Sequence, residues 1–238
     1  MSLANTVIFI TGASRGIGKA LAVHLGAAGA RLFLVARSQD ELSRTVQEIR
    51  TAGGNADALA GDIADESFVK QAIQAAIALY GGLDVVVNNA GFGIFKPAAD
   101  ITAEEWDQIF ATNAKGTFLV SREAIPFMKS RGAGHIINVA SDVAKRTFAN
   151  GSLYCASKYA QDAFSMALRK EVRPLGIKVS VVYSGLVYSY FHADPQGDAS
   201  HETWLKNDDM ARAISFIINQ PAHVVIDELM IHPLSQDY

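Results

Sequence analysis

The sequence has very few of the residues that disulfide frameworks and metal sites require. It contains one cysteine, Cys155, so no disulfide can form within the chain. Its six histidines are scattered, and no group of them has the spacing of a metal site. We therefore predict no bound metal and a reducing compartment.

Long apolar runs and blocks of like charge are also missing. No stretch of about 18 apolar residues would span a bilayer, and the opening MSLANT lacks the features of a cleaved leader. These observations predict a soluble, cytoplasmic protein. The formal net charge of -3 is spread along the chain, which argues against binding to nucleic acid or to a membrane.

Hydrophobic residues, in contrast, are abundant, and they recur in strand-length runs. They make up 50% of the sequence, enough for a substantial core. Helical spacing, such as that of Leu42, Val46 and Ile49, separates the runs. The predicted strands are VIFIT (7–11), RLFLVA (31–36), ADALA (56–60), LDVVVN (83–88), HIINVA (135–140), KVSVVY (178–183) and VVIDELMI (224–231).

Strands that are apolar throughout and alternate with helices are typical of a sheet buried on both faces. We therefore predict an α/β fold with three layers, in which a doubly wound, mostly parallel seven-stranded sheet lies between helices. No linker, low-complexity tract or repeat divides the chain, so we expect one domain over residues 1–238.

A glycine-rich loop, TGASRGIG (11–18), directly follows the first strand and opens a helix. Gly12 allows a tight turn, Gly16 lets the backbone approach a pyrophosphate, and Gly18 permits close packing of helix on strand. The helix N-terminus offers free N–H groups and a partial positive charge to phosphates. This arrangement predicts a Rossmann fold that binds a dinucleotide.

The acid that usually holds the ribose of NAD, about 20 residues after such a loop, is missing. The second strand ends in Ala36, followed by Arg37. An acid in place of Ala36 would repel the 2′-phosphate of NADP. Arg37 and Arg15 offer two guanidiniums for that phosphate, and Ser14 and Ser38 are further donors. The sequence thus predicts a preference for NADP(H).

Further motifs follow the loop in a fixed order. NNAG (88–91) ends the fourth predicted strand, Asn113 lies in a predicted helix, and Ser141 ends the fifth strand. YCASK (154–158) begins 13 residues after the serine. Together with the glycine loop, whose pattern is TGxxxGxG, this set resembles the classical short-chain dehydrogenase/reductase family. The resemblance extends from Val7 to about residue 190.

The resemblance implies hydride transfer between the nicotinamide of NADP(H) and a carbonyl or alcohol carbon. It implies that Tyr154 is the general acid or base, that Ser141 binds the reacting oxygen, and that Lys158 lowers the pKa of Tyr154 and binds ribose hydroxyls. Asn113 would hold a water linked to Lys158. Tyr154 and Lys158 are four positions apart and share a helix face, and an ammonium stabilises a phenolate.

The resemblance also implies a set of residues that bind the cofactor, among them an acid beside the adenine. These implied residues are Gly12, Ser14, Arg15, Gly16, Ile17, Gly18, Arg37, Ser38, Asp62, Ile63, Asn89, Ala90, Gly91, Tyr154, Lys158, Gly185, Val187 and Ser189.

The chain departs from the family pattern after the sixth strand. The family has Pro-Gly and then a threonine, and here the matching residues are Ser184, Gly185 and Ser189. Loss of the proline frees the backbone and adds an N–H donor. The ending, VVIDELMIHPLSQDY, is unlike the glycine-rich ending of 3-oxoacyl-carrier-protein reductases. It resembles the branch that contains 3-hydroxy acid dehydrogenases, serine dehydrogenases and carbonyl reductases.

The substrate is expected to lie against the irregular segment 186–207, because long irregular segments often form binding loops. An apolar pocket suits a hydrophobic or aromatic ketone or aldehyde. Lys145 and Arg146 either bind a carboxylate, as a 3-hydroxy acid needs, or are solvated. The predicted substrate residues are Phe92, Val143, Phe148, Tyr188 and Phe191, with Ile94, Phe95, Leu186, Tyr190 and Trp204 as further candidates.

Several alternatives stay open. The substrate is either a simple carbonyl compound or alcohol, a 3-oxoacyl thioester, or a 3-hydroxy acid, and a non-catalytic NADP-sensing protein would keep the same fold. Cys155 is interpreted as a packed thiol, because neighbours in a helix do not share a face. The resemblance also implies a homotetramer or homodimer that uses the helices around Asn113 and Tyr154.

Overall fold

The computed structural model describes residues 3–189 and 201–237. Most of its strands form one sheet, and two short strands pair separately. The strands of the sheet are β1 (Val7–Thr11), β2 (Arg31–Ala36), β3 (Asn55–Ala60), β4 (Val85–Asn88), β5 (Gly134–Val139), β6 (Ile177–Ser184) and β9 (Glu228–Ile231). The separate pair consists of β7 (Val187–Tyr188) and β8 (Leu205–Lys206).

The large sheet has seven strands in the described residues, in the order β3-β2-β1-β4-β5-β6-β9. All neighbouring strands in it run parallel. This confirms the predicted doubly wound α/β fold. The chain builds outward from β1 to β3 and then returns to place β4 on the other side of β1. A crevice is expected where the order reverses, at the carboxyl ends of β1 and β4.

Helices cover both faces of this sheet. One face packs against α1, α2 and α7, and the other against α3, α5 and α6. The helices are α1 (Gly16–Ala27), α2 (Gln39–Thr51), α3 (Glu66–Tyr80), α4 (Ala103–Phe110), α5 (Thr117–Arg131), α6 (Ser152–Val172) and α7 (Asn207–Ile218).

Alternation within the central strands, β1, β2, β4, β5 and β6, explains why their sequences are mostly apolar. In β1, Ile8 and Ile10 belong to the core under α1 and α7, whereas Phe9 belongs to the core under α3 and α5. Phe9 stacks on Phe33 of β2, with ring centroids 5.8 Å apart. Because both faces are buried, a polar residue has no solvent-facing position in these strands.

The last strand is shorter than predicted, because it begins at Glu228 and not at Val224. The backbone before it is engaged elsewhere. Val224 N–H donates to the Pro221 carbonyl (2.9 Å) in a turn, and Lys178 Nζ donates to the carbonyls of Pro221 (3.2 Å) and Val224 (3.0 Å). In the part of the chain that the structure describes, no helix has the length and apolar character needed to cross a membrane.

Candidate active site

A cleft of about 580 Å³ opens at the carboxyl edge of the sheet, at the reversal between β1 and β4. Open parallel sheets bind their ligands at this place. Most of the residues implied for cofactor binding line it, and they come from the segments that follow five strands, β1 to β4 and β7. These residues are Gly12, Ser14, Arg15, Gly16, Ile17, Arg37, Ser38, Asp62, Ile63, Asn89, Ala90, Gly91 and Ser189.

Glycines shape the loop between β1 and α1. Gly12 (φ +66°) and Gly16 (φ +57°) have left-handed backbone conformations, which favour glycine. A Cβ on Gly12 would lie 2.8 Å from the Cα of Ala90, and one on Gly18 would lie 2.3 Å from the Gly12 carbonyl oxygen. Gly18 is not among the residues lining the cleft. Its role is to let α1 pack against the loop, so that the N–H groups of the first turn face the cleft.

Thr11 and Asn89 tie this loop to the one after β4. Thr11 Oγ1 accepts hydrogen bonds from the N–H groups of Asn89 and Ala90, both at 3.0 Å. Asn89 Nδ2 donates to the carbonyls of Thr11 (3.1 Å) and Gly12 (3.2 Å). Asn89 therefore lines the cleft while its amide fixes the loop geometry. Thr11 was not predicted as a site residue, although its position just before the first glycine is a signal.

The end of the cleft beside β2 is basic. Arg15 and Arg37 are exposed and line it, next to the buried Ala36. Ser38 caps α2, with its Oγ accepting from the Glu41 N–H at 3.4 Å. Glu41, which the sequence analysis did not single out, also lines this end. Two guanidiniums and one carboxylate therefore share the place where a 2′-phosphate is predicted.

A second cavity of about 380 Å³ adjoins the cleft. The two share Ile17, Asn89, Gly91 and Ser189 as lining residues. The second cavity brings together the predicted serine, tyrosine and lysine with further candidates. Its other lining residues are Phe95, Val139, Ala140, Ser141, Asp142, Val143, Arg146, Phe148, Tyr154, Lys158, Ser184, Gly185, Leu186 and Val187.

Tyr154 is buried in the wall of this cavity, with 7% of its surface exposed. Burial raises the pKa of its hydroxyl, a hydrogen bond with Ser141 lowers it by less, and the nearby charge of Asp142 raises it. That Lys158 lowers the pKa of Tyr154 stays a prediction. Lys158 Nζ lies 5.9 Å from the tyrosine ring centroid.

Lys158 is buried and is held by two acceptors. Its Nζ donates to the Val139 carbonyl (3.1 Å) and to Gln161 Oε1 (2.9 Å). Burial lowers the pKa of Lys158 to about 7. Gln161 Nε2 donates in turn to Thr117 Oγ1 at 3.0 Å. Gln161 was not predicted as a site residue, although its place three residues after Lys158 puts it on the same helix face.

Asn113 lies in a π-helical segment, Ala111–Gly116, between α4 and α5, and not in a regular helix as predicted. Its Oδ1 accepts from the Phe92 N–H (3.1 Å), and its Nδ2 donates to the Phe92 carbonyl (2.9 Å) and to Ser157 Oγ (3.0 Å). These bonds fix the loop after β4 against α6. Single π-helical turns are often found at functional sites.

The structure separates the predicted substrate residues. Val143 and Phe148 line the second cavity, whereas Phe92 lines the cleft. Tyr188 is not among the described residues that line either cavity, and its ring packs 5.7 Å from that of His201. Of the other candidates, Phe95 and Leu186 line the second cavity, and the Trp204 ring packs 3.9 Å from that of His201. Phe191 and Tyr190 lie outside the described residues.

The two cations after Ser141 are each paired with a buried acid. Lys145 Nζ lies 2.8 Å from Asp162 Oδ2, away from the cavity walls. Arg146 Nε donates to Asp142 Oδ2 at 2.8 Å, and both residues of this pair line the second cavity. Neither cation is simply solvated. Cys155 is buried, and burial raises the pKa of its thiol, as a packed thiol requires.

The comparisons with known proteins agree with this geometry. The chain belongs to the short-chain dehydrogenase family, since the family model described as short chain dehydrogenase matches residues 6–197. An uncharacterized oxidoreductase of Staphylococcus aureus (strain MRSA252) is 30% identical over 232 residues, which cover 98% of this chain and 99% of the relative.

Two solved structures resemble the chain over nearly its whole length. An alcohol dehydrogenase from the archaeon Thermococcus sibiricus, complexed with 5-hydroxy-NADP, has a TM-score of 0.92 and 30% identity, and the match covers 98% of each chain. The closed form of a serine dehydrogenase, complexed with NADP+, has a TM-score of 0.91 and 27% identity over 98% of this chain and 97% of that one. The chain is thus an oxidoreductase family member with NADP-binding relatives, and its branch within the family is not fixed by these matches.

Proposed function

We propose that the protein is an NADP(H)-dependent oxidoreductase that interconverts a ketone or aldehyde and an alcohol. The observation that carries this proposal is the meeting of Ser141, Tyr154 and Lys158 in the cavity that adjoins the cleft. The cleft and the cavity share four lining residues, so the two spaces adjoin. A ligand that extends along the cleft into the cavity would therefore place its end beside Tyr154.

NADP(H) fits the chemistry of the cleft. Gly12 lies too close to Ala90 for a side chain, and Gly16 has a positive φ that favours glycine. At these two positions the loop therefore presents backbone to the cleft. The N–H groups at the start of α1 would hold the pyrophosphate. Arg15 and Arg37 would hold the 2′-phosphate through charge-assisted hydrogen bonds. The NADP ligands of the two solved relatives support this assignment.

The proton steps follow from the surroundings of Tyr154. When bound, NADP(H) supplies or accepts the hydride. Burial raises the pKa of Tyr154, so its hydroxyl is protonated at neutral pH and is ready to protonate a carbonyl oxygen in reduction. In oxidation the phenolate oxygen of Tyr154 accepts the proton from the alcohol hydroxyl. The Ser141 hydroxyl, hydrogen-bonded to Tyr154, would orient the reacting oxygen.

Lys158 and Asn113 support these steps from the cofactor side. Lys158 Nζ donates to Val139 and Gln161, and these hydrogen bonds hold the nitrogen in position beside Tyr154. We expect it to bind ribose hydroxyls of the nicotinamide half. Asn113 holds the Gly91–Phe92 backbone, which forms the boundary between the two cavities. We expect Asn113 to support the reaction by holding this backbone in place.

The second cavity favours a neutral, hydrophobic substrate. Phe95, Val143, Phe148 and Leu186 supply apolar surface around the predicted reacting oxygen. The charge of Arg146 is already met by Asp142, so a substrate carboxylate would have to compete with a buried carboxylate for it. This pairing favours a ketone or aldehyde over a 3-hydroxy acid.

Steady-state turnover over a panel of substrates tests the proposal. The panel would contain hydrophobic ketones, aromatic aldehydes, 3-oxo esters and 3-hydroxy acids, each with NADPH or NADP+ and with NADH or NAD+. We expect turnover of neutral carbonyl compounds with NADPH. Tight NADPH binding without turnover of any substrate would instead indicate a non-catalytic sensor.

We further propose that the chain functions as a homodimer or homotetramer built from one domain per copy. The helices α4, α5 and α6 carry apolar side chains that are about two-fifths exposed. These are Trp106 (44%), Phe118 (39%), Tyr159 (41%) and Met166 (40%). Burial of such a group between copies would be favourable.

A further inference from the structure

After β9, residues 232–237 fold back towards the second cavity. Pro233 and Gln236 close a turn, in which the Gln236 N–H donates to the Pro233 carbonyl at 3.0 Å. This turn places the half-buried side chain of Gln236 between two segments of the cavity wall. One is the segment 185–189 after β6, and the other is the turn that follows Ser141.

The Gln236 amide bonds to both segments. Its Oε1 accepts from the Leu186 N–H at 2.7 Å, and its Nε2 donates to Asp142 Oδ2 at 2.7 Å. The other oxygen of Asp142, Oδ1, accepts from Ser141 Oγ at 3.1 Å. A single side chain therefore connects the segment 185–189 to the serine that is predicted to bind the reacting oxygen.

Gly185 provides the space for this connection. A Cβ on Gly185 would lie 2.2 Å from Gln236 Oε1 and 2.6 Å from a ring carbon of His232. Its N–H donates to the Ile231 carbonyl at 2.9 Å, which holds the segment against β9. Glycine at position 185 thus has a role in packing the chain end, in addition to the cofactor role that the family resemblance implies.

A carboxamide is the group that suits both contacts. Asp142 is 3% exposed and is already bonded to Arg146, with His232 Nε2 at 3.4 Å and the Tyr154 hydroxyl nearby. A glutamate in place of Gln236 could accept from Leu186, but it would set a second carboxylate against Asp142. An apolar side chain of the same length would lose both hydrogen bonds and keep the packing.

We propose that Gln236 is a positioning residue that fixes the segment 185–189 over the substrate cavity and the adjoining end of the cofactor cleft. This inference rests on the proposed function. Ser184 stands where the family pattern has proline, so the backbone of this segment is less restrained by its own sequence. The Gln236 amide supplies the restraint from the chain end.

The test compares Gln236→Met and Gln236→Glu with the matched control Leu234→Ala, a change at a fully exposed position in the same turn. Hydrogen exchange of the peptide that covers residues 184–189 is measured without cofactor or substrate. In Gln236→Met we expect exchange of the Leu186 amide to be about 5- to 10-fold faster, as loss of one hydrogen bond predicts. In Leu234→Ala it should match the wild type.

Kinetics then separate a positioning role from general loss of structure. We expect Gln236→Met to raise KM for the carbonyl substrate about 5- to 10-fold, with kcat changed by less than about 3-fold. Gln236→Glu should show a larger defect at pH 8 that diminishes towards pH 5, where its carboxyl group can be protonated and can donate to Asp142. Gly185→Ala should reproduce the Gln236→Met phenotype, and the two changes together should not add.

The results for Gln236→Met test the positioning role, whereas turnover by the wild type tests the proposed function. Unchanged exchange in Gln236→Met would overturn the restraint itself, and faster exchange with unchanged KM would overturn its role in the reaction. If the wild type turned over no carbonyl compound, the proposed function would fail. The restraint would then be judged from exchange and from the Kd for NADPH, which Gln236→Met should raise because Ser189 lines the cofactor cleft.

Discussion

Burial has the largest effect on the pKa of Tyr154. It raises the pKa of the tyrosine and lowers that of Lys158 to about 7, so both groups are shifted towards their uncharged forms. A neutral tyrosine is the form that donates a proton to a carbonyl oxygen. If the proposed reaction is correct, reduction uses this neutral form, and oxidation should gain from higher pH because it needs the phenolate.

Replacement of the Tyr154 hydroxyl tests its role in catalysis. We expect Tyr154→Phe to lower kcat/KM for carbonyl reduction by about 10²- to 10⁴-fold, the usual contribution of a general acid. Fluorescence titration should show that NADPH still binds, because the phenyl ring keeps the packing against Phe95. Tyr159→Phe, on the same helix and exposed, is the control that should keep full activity. Undiminished turnover in Tyr154→Phe would refute the mechanism.

At the scale of elements, the end of β2 and the start of α1 together form the phosphate-binding unit that we propose for NADP(H). Arg37 follows β2, and Arg15 precedes α1, so the relative position of the two guanidiniums is set by the β1–β2 pairing. Both project from backbone that buried residues hold in place. Under the proposed function, this backbone would position the two guanidiniums for selection between NADPH and NADH.

Reversal of the charge at Arg37 tests this unit. We expect Arg37→Asp to raise the Kd for NADPH about 10- to 100-fold, the usual value of a charge-assisted hydrogen bond, and to leave the Kd for NADH unchanged or lower. Arg44→Asp makes the same charge change on an exposed position of α2 that is not among the cleft residues, and it should have little effect. An unchanged preference in Arg37→Asp would contradict the selector role.

Elements whose signal is local were predictable from the sequence. The seven strands and the glycine loop have strong apolar or glycine patterns, and the structure has them within a few residues. The π-helical turn at Asn113 and the β7–β8 pair were not predictable, because each depends on contacts with distant residues. Gln236 was missed for the same reason, because its partners Leu186 and Asp142 are set by tertiary packing. Gln161 did have a local signal, since it lies three residues after Lys158 on the same helix.

At the scale of the whole molecule, His135 makes stability depend on pH. It is buried in β5, with Nε2 2.8 Å from Ser180 Oγ of β6, and burial together with the charge of Lys178 lowers its pKa to about 3. In the unfolded chain its pKa is about 6.5. Between these values the unfolded chain binds a proton that the folded chain does not, so the free energy of unfolding falls as pH falls below about 6.5.

Urea unfolding at pH 7 and pH 5 measures this dependence. We expect the wild type to lose about 2 kcal/mol more than His135→Asn between the two conditions. His223→Asn, which changes an exposed histidine, should lose as much as the wild type. Equal losses in the wild type and His135→Asn would show that His135 does not cause the dependence.

Assembly also belongs to the whole molecule. If copies associate through α5 and α6, Phe118→Glu combined with Met166→Glu should place carboxylates in a desolvated contact and break it. Light scattering after size exclusion should then show a lower mass than that of the wild type. Leu79→Glu, at an exposed position of α3, is the matched control and should keep the wild-type mass. A wild type that is monomeric would contradict the proposed assembly.

The wall shared by the cleft and the second cavity has a consequence for kinetic order. Ile17, Asn89, Gly91 and Ser189 face both spaces, so a dinucleotide that lies in the cleft also becomes part of the surface that a carbonyl compound contacts. The dinucleotide is then expected to bind first and to leave last. Product inhibition would show this as NADP+ competing with NADPH, while the alcohol product is noncompetitive against NADPH.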